Sequence, residues 1–193
     1  MQDTTGQRPL LQGLDGLGGA RTPPPVERWN PPYCGAIDMR IAVDGTWFYQ
    51  GSPIRRPALV KLFSSILRKD PAGYVLVTPV ERVGITVEDV PFLVVEMATD
   101  EAGMIHVRTN VDDVAAIGQD HPLRFDVAED GGLKPYVKMR GELWARMTRA
   151  LVHDLVAQAE EREVAGVAML GVASGRSFFP IAPVAEIEGL GDG

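Results

Sequence analysis

"DGTWFYQGSPIRRPALVKLFSSIL", residues 44–67, decides how the first half of this chain is read. Asp44-Gly45 is a strong hairpin signal, because the left-handed backbone of a tight turn suits glycine. It lies between "DMRIAV" and "TWFYQ", both β-rich. Trp47 and Tyr49 share a strand face with Gly45, and Trp47 is assigned to the core by its size. Gly51-Ser52-Pro53 breaks the strand. Pro57 suits the first helical turn, where its missing N–H costs nothing. Leu59, Leu62, Phe63 and Ile66 then recur at helical spacing. The helix is expected to end near Lys69, with Pro71 just beyond. "YVLVTPV" follows as a strand, which completes a hairpin–helix–strand unit.

The same order recurs later. "PLRFDV" and "LKPYVKM" flank "AEDGG", with Asp130-Gly131 at the turn. A long helix is expected from about Glu142 to Glu161, with Trp144, Met147, Leu151 and Leu155 on its core face. "VAGVAMLGVA" and "SFFPIA" then read as strands. Between the two copies, "VGITVED", "PFLVVEMATD" and "MIHVRTN" are short strands with "DEAG" as a hairpin turn. "NVDDVAAIGQDH" reads as a loop or a short helical turn. The fold class is therefore α+β, built as two related hairpin–helix–strand units with mostly antiparallel sheets. The expected division is a Gly/Pro-rich segment over 1–28, an N-terminal unit over 29–82 and a C-terminal unit over 83–193. In the first segment Leu10, Leu14 and Leu17 are spaced for a short docked helix, weakened by nearby glycines.

The 193 residues carry a formal charge of −7, with 45% hydrophobic and 23% charged residues. Such a surplus of acid repels a phosphate backbone and argues against nucleic-acid polymers as partners. A small anion needs only a few local cations and stays open. The opening "MQDTTGQRPLL" has neither the basic nor the apolar region of a signal peptide. "VAGVAMLGVASG" is too short to span a bilayer. The single cysteine, Cys34, fits a reducing compartment and is read as a small buried hydrophobe. A cytoplasmic location with no membrane contact is expected; oligomeric state is left open and no cofactor is assigned.

Three places could carry chemistry. In "LKPYVKMR", strand alternation puts Lys134, Tyr136, Lys138 and Arg140 on one face. That row is either the solvated outer face of an antiparallel sheet, with Pro135 marking an edge strand, or an anion site with Tyr136 as stacking surface. Arg146, Arg149 and His153 fall at i, i+3, i+7 on the expected helix and are either a wet face or the other wall of that site. Arg55 and Arg56 sit where a helix begins, where free N–H groups already favour anions. Glu81, Glu88 and Asp89 are the carboxylates to weigh for acid–base work. The three histidines lack zinc spacing. Ser174 in "GVASG" misses the spacing of a nucleophile elbow.

Several phrases together resemble a bacterial family of unknown function, the DUF1285 proteins. They are "PPVERWNPPYCGAIDMRI" (24–41), residues 44–67 quoted above, "GYVLVTPVERVGITVEDVPF" (73–92), "HPLRF" (121–125) and "LKPYVKMRG" (133–141). The resemblance implies two related α+β units, the second superficially like a pleckstrin-homology domain. It also implies a pocket at their seam, a nucleotide-like ligand and a role in bacterial signalling. The family pattern carries over onto Tyr49, Gly51, Ile54 and Arg56, onto Thr78–Glu81, onto Val87-Glu88-Asp89 with Pro91-Phe92, and onto His121-Pro122-Leu123.

The expectation is therefore a non-catalytic regulatory protein that takes a small anion, nucleotide-like in character. Arg55, Arg56 and Tyr49 would act from one unit, and Lys134, Tyr136, Lys138, Arg140 and His121 from the other. A hydrolase using Glu81 or Asp89 with His121, and a protein-interaction module, are the competing readings.

Overall fold

The computed structural model describes residues 24–129 and 131–188. The helix expected around Leu10–Leu17, and Asp130 of the second hairpin turn, lie outside the described residues. The described chain is mostly β-sheet with few helices. It divides into two compact units. One runs to Pro91 and includes Gly141–Leu143; the other comprises Phe92–Arg140 and the described residues from Trp144 on.

The first unit is one six-stranded sheet. Strands β1 (Tyr33–Ile41), β2 (Trp47–Tyr49) and β3 (Ser52–Pro53) form one antiparallel meander. Strands β4 (Leu67–Asp70), β5 (Gly73–Val77) and β6 (Arg82–Val87) form another. The strand order is β3-β2-β1-β6-β5-β4, and β1 runs parallel to β6. Helix α1 (Pro57–Ser65) connects the meanders. Its Phe63 ring stacks on Trp47, with centroids 6.3 Å apart. Met39, Ile41, Trp47, Phe63, Ile66, Leu67 and Leu76 of this unit are buried, and burying such side chains is worth about 1.5–3 kcal/mol each.

The second unit repeats this topology. Strands β7 (Phe92–Thr99), β8 (Ile105–Thr109) and β9 (Val114–Ala116) form one meander. Strands β10 (Leu123–Val127), β11 (Leu133–Arg140) and β12 (Leu143–Met147) form the next. The order is β10-β11-β12-β7-β8-β9, and β7 runs parallel to β12. In both sheets the first strand of the first meander lies beside the last strand of the second. Helix α2 (Arg149–Val156) and a fifth meander follow: β13 (Ala159–Val164), β14 (Val167–Ser174) and β15 (Ser177–Pro183). A short helix, α3 (Val184–Glu188), comes last among the described residues.

Local turn chemistry explains the hairpins. At Ala42–Thr46, Asp100–Met104 and Ala128–Gly132 the first residue's N–H donates to the fifth residue's carbonyl, at 2.9, 3.0 and 2.7 Å. The fourth residue's N–H donates back to the first residue's carbonyl. That is the three-residue hairpin loop in which a type I turn is followed by a left-handed residue. Glycine fills that position each time, at φ of 80° for Gly45, 74° for Gly103 and 79° for Gly131.

Several expectations give way to long-range pairing. Helix α1 stops at Ser65, and Leu67–Asp70 is a strand, because it zips against Gly73–Val77. The long helix from Glu142 does not form. Leu143, Ala145 and Met147 are buried in alternation on β12, and only Arg149–Val156 is helical. Sheet pairing on both sides of β12 outweighs the helical pattern of that stretch. The "NVDDVAAIGQDH" segment, expected as a loop or a short helical turn, holds a turn and also the short strand β9. Pro135 lies on β11, an inner strand, opposite Phe125. Cys34 is exposed, not buried. The division at Pro91, rather than at 82/83, follows from β6 pairing with both β1 and β5.

Candidate functional site

In the second unit a cleft of about 490 Å³ opens between β7, β11, β12 and α2. Its cations are Lys134 from β11, Arg146 from β12 and Arg149 from α2. No carboxylate lines it among the described residues. Strand alternation brings Lys134 to it, and the β12 strand brings Arg146. Arg149 is the first residue of α2, after the N-cap Thr148, whose side chain makes no capping bond. The first turn of α2 has no acidic residue. A cation at the positive end of a helix is unfavourable for the helix itself. Its presence there, beside free N–H groups, gives the cleft a surplus of positive charge.

The cation row of β11 is thus divided. Lys134 lines the cleft, while Tyr136 is buried at 3% exposure. The Arg124 guanidinium, opposite it on β10, lies 4.7 Å from its ring centre and 4.8 Å from that of Trp144. Tyr136 therefore offers no open stacking face on that side. The Lys138 carbonyl pairs with His121 Nδ1 at 3.0 Å, which ties the His121 loop to the sheet. Arg140 pairs with Asp113 and lies over the Phe92 ring at 5.1 Å.

In the first unit, Arg55 and Arg56 stand at the start of α1 as expected. Both are exposed, and Arg56 is the N-cap residue. Tyr49 is half-buried on β2 opposite Met39. Neither arginine is among the residues that line the cleft around Lys134. A second cleft, of about 510 Å³, is lined by Tyr33, Tyr74, Arg82 and Asp70 above a floor that includes Gly84. Tyr33 crosses that glycine: a Cβ there would fall 2.7 Å from the Tyr33 hydroxyl.

The carboxylates have mostly structural work. Glu88 pairs with Arg40 and accepts the Val43 N–H at 2.9 Å, which fastens the first hairpin loop. Glu81 is buried at 6% exposure, and its Oε1 has no hydrogen-bond partner. Burial pushes its carboxyl pKa up. The Thr78–Glu81 phrase is a loop held by one side chain: the Thr78 hydroxyl oxygen accepts the Glu81 N–H at 3.2 Å, and Thr78 N–H donates to the Glu81 carbonyl at 2.9 Å. Ser174 is fully buried. Its hydroxyl donates to the Ile117 carbonyl at 2.7 Å and accepts the Ile105 N–H at 2.9 Å. Fully buried and so engaged, the hydroxyl has no access to a substrate. Among the described residues no group of three or more His, Cys, Asp or Glu could hold a metal ion.

Sequence reasoning missed a cluster in the first unit. Arg68 on β4 is buried and bonds Asp70 through two nitrogens, and Arg82 on β6 joins the same carboxylate at 2.9 Å. Arg68 also donates to the carbonyls of Val26 and Trp29, at 2.8 and 2.7 Å. It thereby docks the 3-10 turn Val26–Arg28. The extension of the helix to about Lys69 hid this, because only a strand puts Arg68 and Asp70 on the same face.

Comparison with known proteins follows the same division. A crystal structure of a DUF1285 family protein from Silicibacter pomeroyi DSS-3 is similar at 44% identity and a TM-score of 0.78, covering 88% of this chain and 92% of that one. One from Shewanella baltica OS155 is 27% identical with a TM-score of 0.51, covering 62% of this chain and 90% of that one. No curated protein matches. The N-terminal domain of unknown function DUF1285 matches residues 24–90, and the DUF1285 C-terminal domain matches residues 91–181. With both domains matched end to end across the two sheets, the chain belongs to the DUF1285 family.

Proposed function

We propose that this protein is a non-catalytic, ligand-binding regulatory protein whose second unit takes a small anion in the cleft of Lys134, Arg146 and Arg149. One observation carries the reading. In a chain of net charge −7, three cations converge on one cleft with no described carboxylate in its lining. Lys134 and Arg149 are held in no ion pair among the described residues. Arginine offers a fork suited to carboxylate or phosphate oxygens, and lysine adds a point charge. A nucleotide-like ligand and a signalling role belong to this proposal, as does cytoplasmic residence; no described helix is long and apolar enough to cross a membrane. The likeness of the second unit to a pleckstrin-homology domain is part of it too, supported by a mostly antiparallel sheet with α2 packed on β7 and β11.

The hydrolase reading has one observation in its favour, the raised pKa of buried Glu81. Glu81 lines neither cleft described above, so no substrate space adjoins it there. Calorimetric titration with inorganic phosphate, AMP and ATP tests the binding reading. At least one anion should bind, and Arg149→Ala and Lys134→Ala should each weaken it about tenfold, as for a lost charge-assisted hydrogen bond. Anion binding untouched by both variants would remove the cleft from the proposal.

A further inference from the structure

The cleft of the second unit has a second character besides charge. Two elements supply it with a cation and a half-buried aliphatic residue, Lys134 with Leu133 from β11 and Arg149 with Val152 from α2, while β12 supplies Arg146 beside the buried Met147. Arg149 and Val152 are three apart on α2 and so share a helix face. Leu93 of β7 adds a third half-buried aliphatic residue. No aromatic side chain lines the cleft among the described residues. Tyr136, the ring the sequence offers for stacking, is buried and faced by Arg124.

This combination discriminates between ligand classes. A nucleobase draws roughly 1–3 kcal/mol from stacking on an aromatic ring, and the described lining has no ring to provide it. An aliphatic chain needs only apolar surface that excludes water, worth about 0.8 kcal/mol for each buried methylene. Its head needs cations, which the same three elements supply. A volume of about 490 Å³ falls in the ordinary range for small-molecule sites.

We propose that the ligand of this cleft is an amphiphilic anion, a carboxylate or phosphate head on an aliphatic tail, held by Lys134, Arg146 and Arg149 at the head and by Leu93, Leu133 and Val152 along the tail. This inference rests on the anion-binding reading of the same cleft and puts an aliphatic tail in place of the nucleoside. The head takes the arginine forks and the free N–H groups that open α2. The tail lies against the three half-buried aliphatic residues. No bond is made or broken.

The test is calorimetric titration of the full chain with acetate, butanoate, hexanoate and octanoate below their micellar concentrations. Octyl phosphate, octanol, inorganic phosphate and AMP complete the panel. Affinity should rise about fourfold for each added methylene, the factor that corresponds to 0.8 kcal/mol. Octanol should bind at least tenfold more weakly than octanoate. Arg149→Gln should erase that difference in head group, and Lys134→Gln should reduce it. Val152→Thr, nearly the same size, should flatten the dependence on chain length while leaving acetate unchanged. Circular dichroism and the thermal midpoint confirm that each variant is folded. A flat series, or AMP binding more tightly than octanoate and octyl phosphate, would overturn the aliphatic assignment while the anion site stands. Failure of every anion, inorganic phosphate and AMP included, would overturn both.

Discussion

Arg68 and Asp70, two residues apart on β4, grip each other through two parallel hydrogen bonds, Nε to Oδ1 at 2.6 Å and Nη2 to Oδ2 at 3.1 Å. Their side chains are 9% and 14% exposed. The remaining guanidinium nitrogen holds the carbonyls of Val26 and Trp29. The pair thus fixes the guanidinium that fastens the 3-10 turn to the first sheet. A bidentate pair so enclosed differs from a surface ion pair, because removing one partner leaves the other charge buried.

Asp70→Ala should therefore destabilise the protein by about 3 kcal/mol, as expected for a buried guanidinium left without its counter-charge. Equilibrium urea unfolding measures this. A loss below 1 kcal/mol would show that Arg68 and Arg82 find other partners. Arg68→Met removes the charge together with its demand for a partner. It should cost less in the β4 region but release the Val26–Arg28 turn to proteolysis.

The acid limb of stability should carry the same signature. The Arg68 guanidinium, with Arg82 assisting, holds the Asp70 carboxyl below its ordinary value of 3.8, against the opposing pull of burial. A folded-state pKa below the unfolded one means that the unfolded chain binds the proton first. The stabilisation is complete above the unfolded value and is lost as pH falls through the lowered one. Wild type should lose stability below about pH 4 more steeply than Asp70→Asn. Parallel limbs in the two proteins would contradict the assignment.

Glu81 should show the opposite sign. Burial raises its folded pKa above 4.5. The unfolded chain then ionises first, so the folded state is penalised as pH rises from 4.5 to the raised value, and the penalty stays constant beyond it. Glu81→Gln removes the titrating group. Its stability relative to wild type should grow across that window and hold level at higher pH. Chemical unfolding at pH 4, 6 and 8 gives the comparison, and a constant difference across all three would reject it.

Ser174→Ala should cost about 1–3 kcal/mol, the range for a buried polar group left unsatisfied, because it strands both the Ile105 N–H and the Ile117 carbonyl. Ser174→Thr keeps the hydroxyl but adds a methyl group to a fully buried position, so it tests packing separately. If Ser174→Ala unfolds at the same urea concentration as wild type, these hydrogen bonds contribute no net stability.

Gly103→Ala should cost about 1 kcal/mol, because φ of 74° places a β-carbon against its own carbonyl while no neighbouring atom lies within 4 Å. The loss is purely conformational, and thermal unfolding reads it. A Gly103→Asn variant should recover part of it, since asparagine tolerates the left-handed region. Equal losses for alanine and asparagine would point to something other than backbone preference.

Turn chemistry was legible because it is local. The loops at Asp44-Gly45 and 100–103, the start of α1 at Pro57 and the burial of Trp47 could all be read from neighbouring residues; two repeated units could be read as well, but the copy of β1–β6 is β7–β12 and not the hairpin–helix–strand stretch expected from Leu123 on. Each depends on backbone sterics or on hydrophobic spacing over a few positions. The convergence of Lys134 with Arg149 could be posed from sequence but not decided. It depends on Arg146 lying on a strand and Arg149 on the helix after it, a boundary that moved by seven residues from the one the helical pattern suggested at Glu142.

By itself the sequence determined the hairpins, the family and an acidic chain holding a few clustered cations. Tertiary structure alone decided that Leu67–Asp70 and Leu143–Met147 are strands and that β1 pairs parallel to β6 and β7 to β12. It also placed Tyr136 beneath Arg124 while leaving Lys134 in a cleft. The physical reason is one of range. A left-handed glycine is chosen by its own φ, whereas a strand gains its ladder hydrogen bonds from partners tens of residues away. Apolar spacing that suits a helix yields once those partners arrive.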